Sequence, residues 1–195
     1  MGGGQVPVER EKAMIYGERV RLRGVEKEDL PKFVIWLNDP EVIDGLGLYL
    51  PLSMGDETRW YEKSADLEPA AKPLVIEIRD GEGWRMAGTC SFMGLDWKNR
   101  LAEVGLFIGD KSLWDKGYGT DVMRLLFKHG FATLNLNRIW LRVHADNPRA
   151  IRAYEKAGLT HEGRYREGIY KKGAFADVML MSILKPEWDR KQGEL

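Results

Sequence analysis

The stretch Trp114-Asp115-Lys116-Gly117-Tyr118-Gly119-Thr120 constrains this chain most. It follows a strand-like run, Leu101 to Ile108, and leads into a helical pattern from Gly119 to Ala132, where Val122, Leu125, Leu126 and His129 share one stripe. A second strand-like run, Arg138 to Val143, comes next, and then a short helix, Asn147 to Ala157. Strand, helix and strand joined by short turns imply a parallel crossover. A helix that starts at a glycine turn presents unsatisfied backbone N–H groups, and its dipole favours an anion there. On the following helix Asn147 suits the N-cap, Pro148 the first turn and Gly158 the C-terminal exit. The order therefore sets an anion site beside a polar amide and the phenol of Tyr154.

The remaining chain frames this unit. Arg19 to Arg23 alternates polar and apolar, as a half-buried strand does. Glu26 to Asn38 has helical spacing, with Leu30, Phe33, Val34 and Leu37 on one face and Pro31 tolerated only near the first turn. A second helix is expected over Gly55 to Ala65, with Trp60 and Tyr61 facing inward. Between the two helices, Asp44 to Ser53 is a loop rich in Leu and Gly. It either folds onto the core or walls a cleft. Strands are expected at Leu74 to Arg79, Arg85 to Leu95, Leu101 to Ile108, Thr160 to Tyr165 and Ala176 to Ile183, the last ended by Pro186. The fold class is α/β: a mostly antiparallel twisted sheet of about seven strands with one parallel crossover, flanked by about four helices. Residues 14–190 read as one domain, and residues 1–13 as a flexible lead-in.

Composition narrows the function. Thirty basic residues balance 30 acidic ones, and nothing in that total points to nucleic acid or a membrane surface as a partner. The lone Cys90 cannot form an internal disulfide and reads as a buried structural thiol. His129, His144 and His161 lack metal-ligand spacing and read as structural or surface residues, so no metal is expected. No apolar run is long enough to span a bilayer, and a cytoplasmic location is expected. The paired glycines alone are weak. No Gly-Lys-Ser/Thr follows them, and the third glycine of a dinucleotide fingerprint would fall at Val122.

The wider context is specific. Glu103 to Ile108, then Trp114 to Thr120, then Asn147 to Leu159 resemble the GNAT superfamily of acetyl-CoA-dependent N-acetyltransferases. The likeness runs from Arg19 to Trp188 and is nearest the branch of ribosomal-protein and spermidine acetyltransferases, whose closing pattern matches Met181 to Trp188. The superfamily pattern Arg/Gln-x-x-Gly-x-Gly/Ala carries Trp114 in its first position here, as is common in that branch. Asp115 replaces a frequent glycine, so its carboxylate is expected to face solvent.

The resemblance implies acetyl-CoA as co-substrate. The backbone N–H groups of Asp115, Lys116, Gly117, Tyr118, Gly119 and Thr120 would hold the pyrophosphate. The backbone of Leu106, Phe107 and Ile108 would pair with the pantetheine amides, and Asn147 would add a cofactor hydrogen bond to its capping role. Tyr154 would be the general acid for the departing thiolate. With an ordinary phenol pKa of about 10 against a thiol of about 8.5, it is expected to need no shift. Glu103 is the leading base; its rival readings are an ordinary strand carboxylate paired with an Arg, and activation by water alone. Glu77, Asp96 and Glu167 are weaker candidates. Arg149 and Lys156 could reach CoA phosphates. The acceptor is expected to be a protein N-terminal α-amine. A polyamine or other small amine is the alternative, and a non-catalytic acyl-CoA sensor is the reading of another class. A homodimer is an allowed assembly.

Overall fold

The structure, a computed structural model, describes residues 14–193; the lead-in expected at residues 1–13 lies outside them. Eight strands make one sheet: β1 (Met14–Tyr16), β2 (Val20–Gly24), β3 (Leu74–Asp80), β4 (Gly83–Asp96), β5 (Leu101–Ile108), β6 (Arg138–His144), β7 (Thr160–Lys171) and β8 (Ala174–Leu184). Their spatial order is β1-β2-β3-β4-β5-β6-β8-β7. Every neighbouring pair is antiparallel except β5 and β6. The helices are α1 (Leu30–Trp36), α2 (Pro40–Ile43), α3 (Met54–Ala65), α4 (Tyr118–Lys128), α5 (Pro148–Ala157) and α6 (Lys185–Gly193). A π-helical turn, His129–Thr133, extends α4.

The architecture is the mixed sheet expected, with additions. β1 is an eighth strand and α2 and α6 are extra helices. β8 ends at Leu184, ahead of Pro186 as expected, and the chain continues as α6, in which Pro186 holds the second position, where a missing N–H costs nothing. The β7–β8 hairpin is longer than its pattern suggested, because most of β7 is exposed and shows no polar–apolar alternation to read. Trp60 is not inward. It stays 37% exposed and meets Phe33 edge-on, with centroids 6.0 Å apart.

Strand alternation divides the core. Ala102 and Val104 of β5 join Ile139, Leu141 and Val143 of β6 in the main cluster, beneath Val122, Met123 and Leu126 of α4. The opposite face packs a smaller cluster of Leu30, Phe33, Trp36, Val42 and Val75, to which Phe107 of β5 adds its ring.

One irregularity positions everything that follows. β5 and β6 pair only at Leu101–Arg138, Ala102–Ile139 and Glu103–Trp140. From Val104 onward the two strands part. β4 still holds the far side of β5, up to Gly88–Ile108, and β8 holds β6 throughout. The sheet therefore opens in a V whose inner edge on β5 is free for another extended chain to pair with.

Candidate active site

A cleft of about 1050 Å³ fills that V, lined by β5, β6, the glycine turn, α5 and residues 40–47. At its outer end the chain leaves β5 and turns into α4. Gly117 caps α4 with φ +84°, a left-handed conformation, and an added Cβ would lie 3.2 Å from Arg19 Nη2. Asp115 also has positive φ, and its side chain is exposed, as expected of an acid beside an anion site. The first intrahelical donor of this turn is Asp121, whose N–H bonds the Gly117 carbonyl at 3.1 Å. The N–H groups of Gly117, Tyr118, Gly119 and Thr120 precede it and have no helical acceptor.

Side chains brace the turn. Arg19 donates to the Lys116 carbonyl at 3.3 Å, pairs with Asp121 and lies 5.1 Å over the Tyr118 ring. The Trp114 indole donates to the Ile108 carbonyl at 2.8 Å, and the Arg149 guanidinium stacks 3.4 Å over the same indole. Burial lowers the pKa of Arg149, while Asp115 and Glu41 act against that shift. Thr120 donates its hydroxyl to Ala153 C=O at 3.1 Å and so ties α4 to α5. Arg149, which the sequence offered as a residue that could reach CoA phosphates, stands in the cleft wall, stacked on Trp114.

The slot residues sit on the free edge of β5. Leu106 and Ile108 turn their side chains to the main cluster, and Phe107 meets Trp36 edge-on on the other face. Their side chains thus serve the core while the backbone faces the V. The Ile108 carbonyl already accepts the Trp114 bond, which leaves it one lone pair.

Asn147 caps α5: its Oδ1 accepts from Ala150 N–H at 3.1 Å. Its Nδ2 lies against Gly45, where an added Cβ would come within 2.8 Å. The loop from residue 44 therefore crosses the cleft mouth in backbone contact with the cap. Leu46 packs on the smaller cluster, Asp44 to Gly47 line the cleft, and Leu48, Tyr49 and Leu50 stay exposed. Both readings of that loop hold, each for a different part of it.

Tyr154 lines the cleft from α5 with its ring buried. Its hydroxyl has no hydrogen-bond partner among the described residues, and burial pushes its pKa up to about 12. This corrects the proton argument made from the sequence. A proton moving from a phenol at about 12 to a thiolate whose acid is near 8.5 runs uphill by about 5 kcal/mol. Even an ordinary phenol would run uphill. The environment keeps the phenol protonated, which suits a hydrogen-bond donor to developing negative charge.

Glu103 also lines the cleft, but both its oxygens are engaged. Arg142 Nε and Nη2 donate to them at 2.8 and 3.1 Å, across the point where β5 and β6 part. The Arg-paired reading therefore describes its resting state. Glu77, Asp96 and Glu167 do not line the cleft. Glu77 is buried between Arg21 and Arg23, Asp96 accepts from Asn99, and Glu167 N–H bonds Asp177. Cys90 is buried and its thiol pKa is raised by desolvation, as a structural thiol requires.

His144 is the residue that sequence reasoning passed over. It ends β6, is 8% exposed and lines the cleft. Its Nδ1 is buried and has no partner. A buried polar atom left unpaired costs about 1–3 kcal/mol. No spacing signal marks it, because its place is set by the splay of two strands distant in sequence.

The mouth of the cleft is charge-balanced. Asp146 pairs with Lys171 at 2.8 Å, Asp44 with Lys172 at 2.8 Å, and Glu41 with Lys111 at 3.3 Å. Among the described residues no group of His, Cys, Asp and Glu could hold a metal ion.

Comparison with known proteins accords with this geometry. The family described as Acetyltransferase (GNAT) domain matches residues 19–160. The N-acetyltransferase p20 of Bacillus licheniformis is 30% identical over 176 residues, 89% of this chain and 97% of its own. A Bacillus subtilis (strain 168) protein provisionally named ribosomal N-acetyltransferase YdaF is 33% identical over 130 residues, 67% of each chain. Spermidine N(1)-acetyltransferase of Vibrio cholerae is 26% identical over 87% of this chain and 95% of its own. A crystal structure of spermidine N-acetyltransferase from that organism, in complex with CoA and spermine, superimposes with a TM-score of 0.79. It is 24% identical and covers 88% of this chain and 99% of that one.

Proposed function

The chain belongs to the GNAT acetyltransferase family, and on that premise we propose that it transfers acetyl from acetyl-CoA to the α-amine of a protein N-terminus. The pairing of the cleft's carboxylates carries the choice of acceptor. Glu41, Asp44, Glu103 and Asp146 each have a cationic partner. A polyamine brings several ammonium groups and would need to displace lysine or arginine from these pairs. An N-terminus brings one, and its reference pKa of about 8 makes it easier to deprotonate than a lysine-like amine at about 10.4. The ribosomal name of the Bacillus subtilis relative supports the same reading.

In this proposal the free N–H groups of residues 117–120 hold the pyrophosphate at the α4 start. The open edge of β5 at Leu106 and Phe107 pairs with the pantetheine amides, which sets the thioester inside the V. Asn147 supplies a donor from Nδ2 while its Oδ1 keeps the cap. Tyr154 donates a hydrogen bond to the sulfur as the C–S bond breaks. Transfer is direct within a ternary complex, because the cleft's thiol, Cys90, is too deeply buried and too weakly acidic to be a nucleophile.

The test is mass spectrometry of an acceptor panel of peptide N-termini, spermidine, spermine and amino sugars. Acetylated peptides with unmodified polyamines are the expected result. The polyamine reading is kept because the Vibrio cholerae relative bears a spermidine acetyltransferase name. Preferential acetylation of spermidine would establish it instead, and CoA binding without any acetylated amine would favour a sensor.

A further inference from the structure

Acyl transfer to an ammonium needs a group to take its first proton. Glu103 enters with both carboxylate oxygens committed to Arg142. The cleft contains a second proton acceptor that is uncommitted. His144 lies on the β6 face shared by Trp140 and Arg142, because Leu141 and Val143 alternate with it into the main cluster. It is buried at the point where the free part of β5 stands opposite, and its Nδ1 meets no donor or acceptor of the protein. Native proteins rarely bury a polar side chain unpaired, and this imidazole lines the cleft without a hydrogen bond to the protein.

We infer that His144 is the base that receives the proton of the acceptor amine. This rests on the N-acetyltransferase reading above. Neutral imidazole takes one proton from the bound ammonium. The freed lone pair forms the N–C bond to the acetyl carbon, and collapse of the tetrahedral species breaks the C–S bond with the electron pair going to sulfur. The second proton lost from nitrogen balances the one the thiolate takes up, and the imidazolium returns its own to water. An imidazole titrates near working pH and suits this exchange.

The charged and titratable groups around this end of the cleft are mutually paired. Arg142 of β6 holds Glu103 of β5, and Tyr165 of β7 acts electrostatically on Arg142. Lys171 of β7 bridges Asp146, ahead of α5, and Asp44 of the loop, while Lys172 also holds Asp44. Asp177 of β8 holds Arg164, and Tyr154 of α5 stays protonated.

The experiment is the pH dependence of kcat/KM with a peptide acceptor, for wild type, His144→Gln and His144→Asn. Wild type should show an acidic limb with a break that the amine's own ionisation does not account for. In His144→Gln that break should vanish, leaving only the amine's own ionisation near about 8, with kcat/KM at pH 7 lower by about 100-fold or more. Calorimetry with CoA should show unchanged affinity, which separates a lost base from a lost fold. His144→Asn keeps a polar atom near the Nδ1 position and should fold while losing the same break. An acidic limb retained in either variant that binds CoA normally, or a rate within threefold of wild type, overturns the assignment while leaving the acetyltransferase reading intact. A wild type that acetylates no amine overturns both. If neither variant folds, NMR titration of the wild-type His144 imidazole decides. Its shifts should move when a peptide ammonium binds beside CoA, and an imidazole unaffected by that ligand overturns the inference.

Discussion

A buried phenol with no protein partner is an unusual expense in a small domain, and Tyr154 illustrates what such a residue is suited to do. With its pKa pushed up to about 12, it remains an O–H donor across the whole physiological range. Tyr154→Phe removes only the oxygen. Loss of one preorganised donor to developing charge lowers kcat by about 100-fold or more. CoA affinity by calorimetry should be unchanged, since the ring and its packing stay. An unaltered kcat would remove Tyr154 from the chemistry. The same shift makes a stability prediction. The folded pKa lies above the unfolded value of about 10, so the contribution is complete below pH 10 and is lost as pH rises toward 12. Two pKa units correspond to about 3 kcal/mol. Of that, wild type should lose about 2 kcal/mol more unfolding free energy between pH 10 and 12 than Tyr154→Phe does, measured by urea titration at each pH.

At the scale of the element, α5 joins structural and chemical duties in one amide. Asn147 Oδ1 bonds Ala150 N–H, while Nδ2 faces the loop at Gly45. Asn147→Ala should cost about 1 kcal/mol for the lost cap. Asn147→Asp keeps an acceptor at the cap and should restore stability, but it has no N–H donor for the cofactor. Its CoA affinity should stay as weak as that of Asn147→Ala; affinity that recovers with stability would show that capping alone matters. This helix was legible in the sequence because caps are local: Asn, Pro and Gly stand at its ends in order. The same holds for the glycine turn and for the periodic face of α4. What was not legible is nonlocal or patternless. β1 is only three residues long, α2 only four, and most of β7 lies exposed with no alternation to betray a strand. Pro186 rightly marked the end of β8, but the helix it opens was not legible, because its place near a helix start depends on the chain after it. Glu103 was correctly suspected of an arginine partner, but which arginine required the parallel register that sets β5 beside β6. The orphaned nitrogen of His144 had no signal at all, since being unpaired is a property of the folded surroundings.

For the whole molecule, the break in β5–β6 pairing means that the protein's own hydrogen bonds do not close its sheet. Three paired positions hold the two halves at the apex, and Arg142 clasps Glu103 there. Beyond the apex, the described residues join across the cleft mouth through the Asn147–Gly45 contact and through Lys171 and Lys172 on Asp44. A ligand that pairs with the β5 edge and sits on the α4 start adds contacts to both halves, and binding of that kind couples directly to unfolding. Acetyl-CoA at 100 times its Kd should stabilise the fold by about 2.7 kcal/mol. For a domain of this size that raises Tm by about 5–11 °C in a thermal melt. Gly117→Ala forces a side chain into the left-handed turn at φ +84° and toward Arg19, at a strain of about 1–2 kcal/mol. Its Tm should fall without ligand, and its shift with acetyl-CoA should shrink as the N–H groups move out of line. Spermidine, which meets Glu41, Asp44, Glu103 and Asp146 already paired with cations, should leave the wild-type Tm unmoved at low millimolar concentration. A spermidine shift comparable with that of acetyl-CoA would mean that the lysine pairs at the cleft mouth give way to a polycation, and the choice of acceptor would reverse.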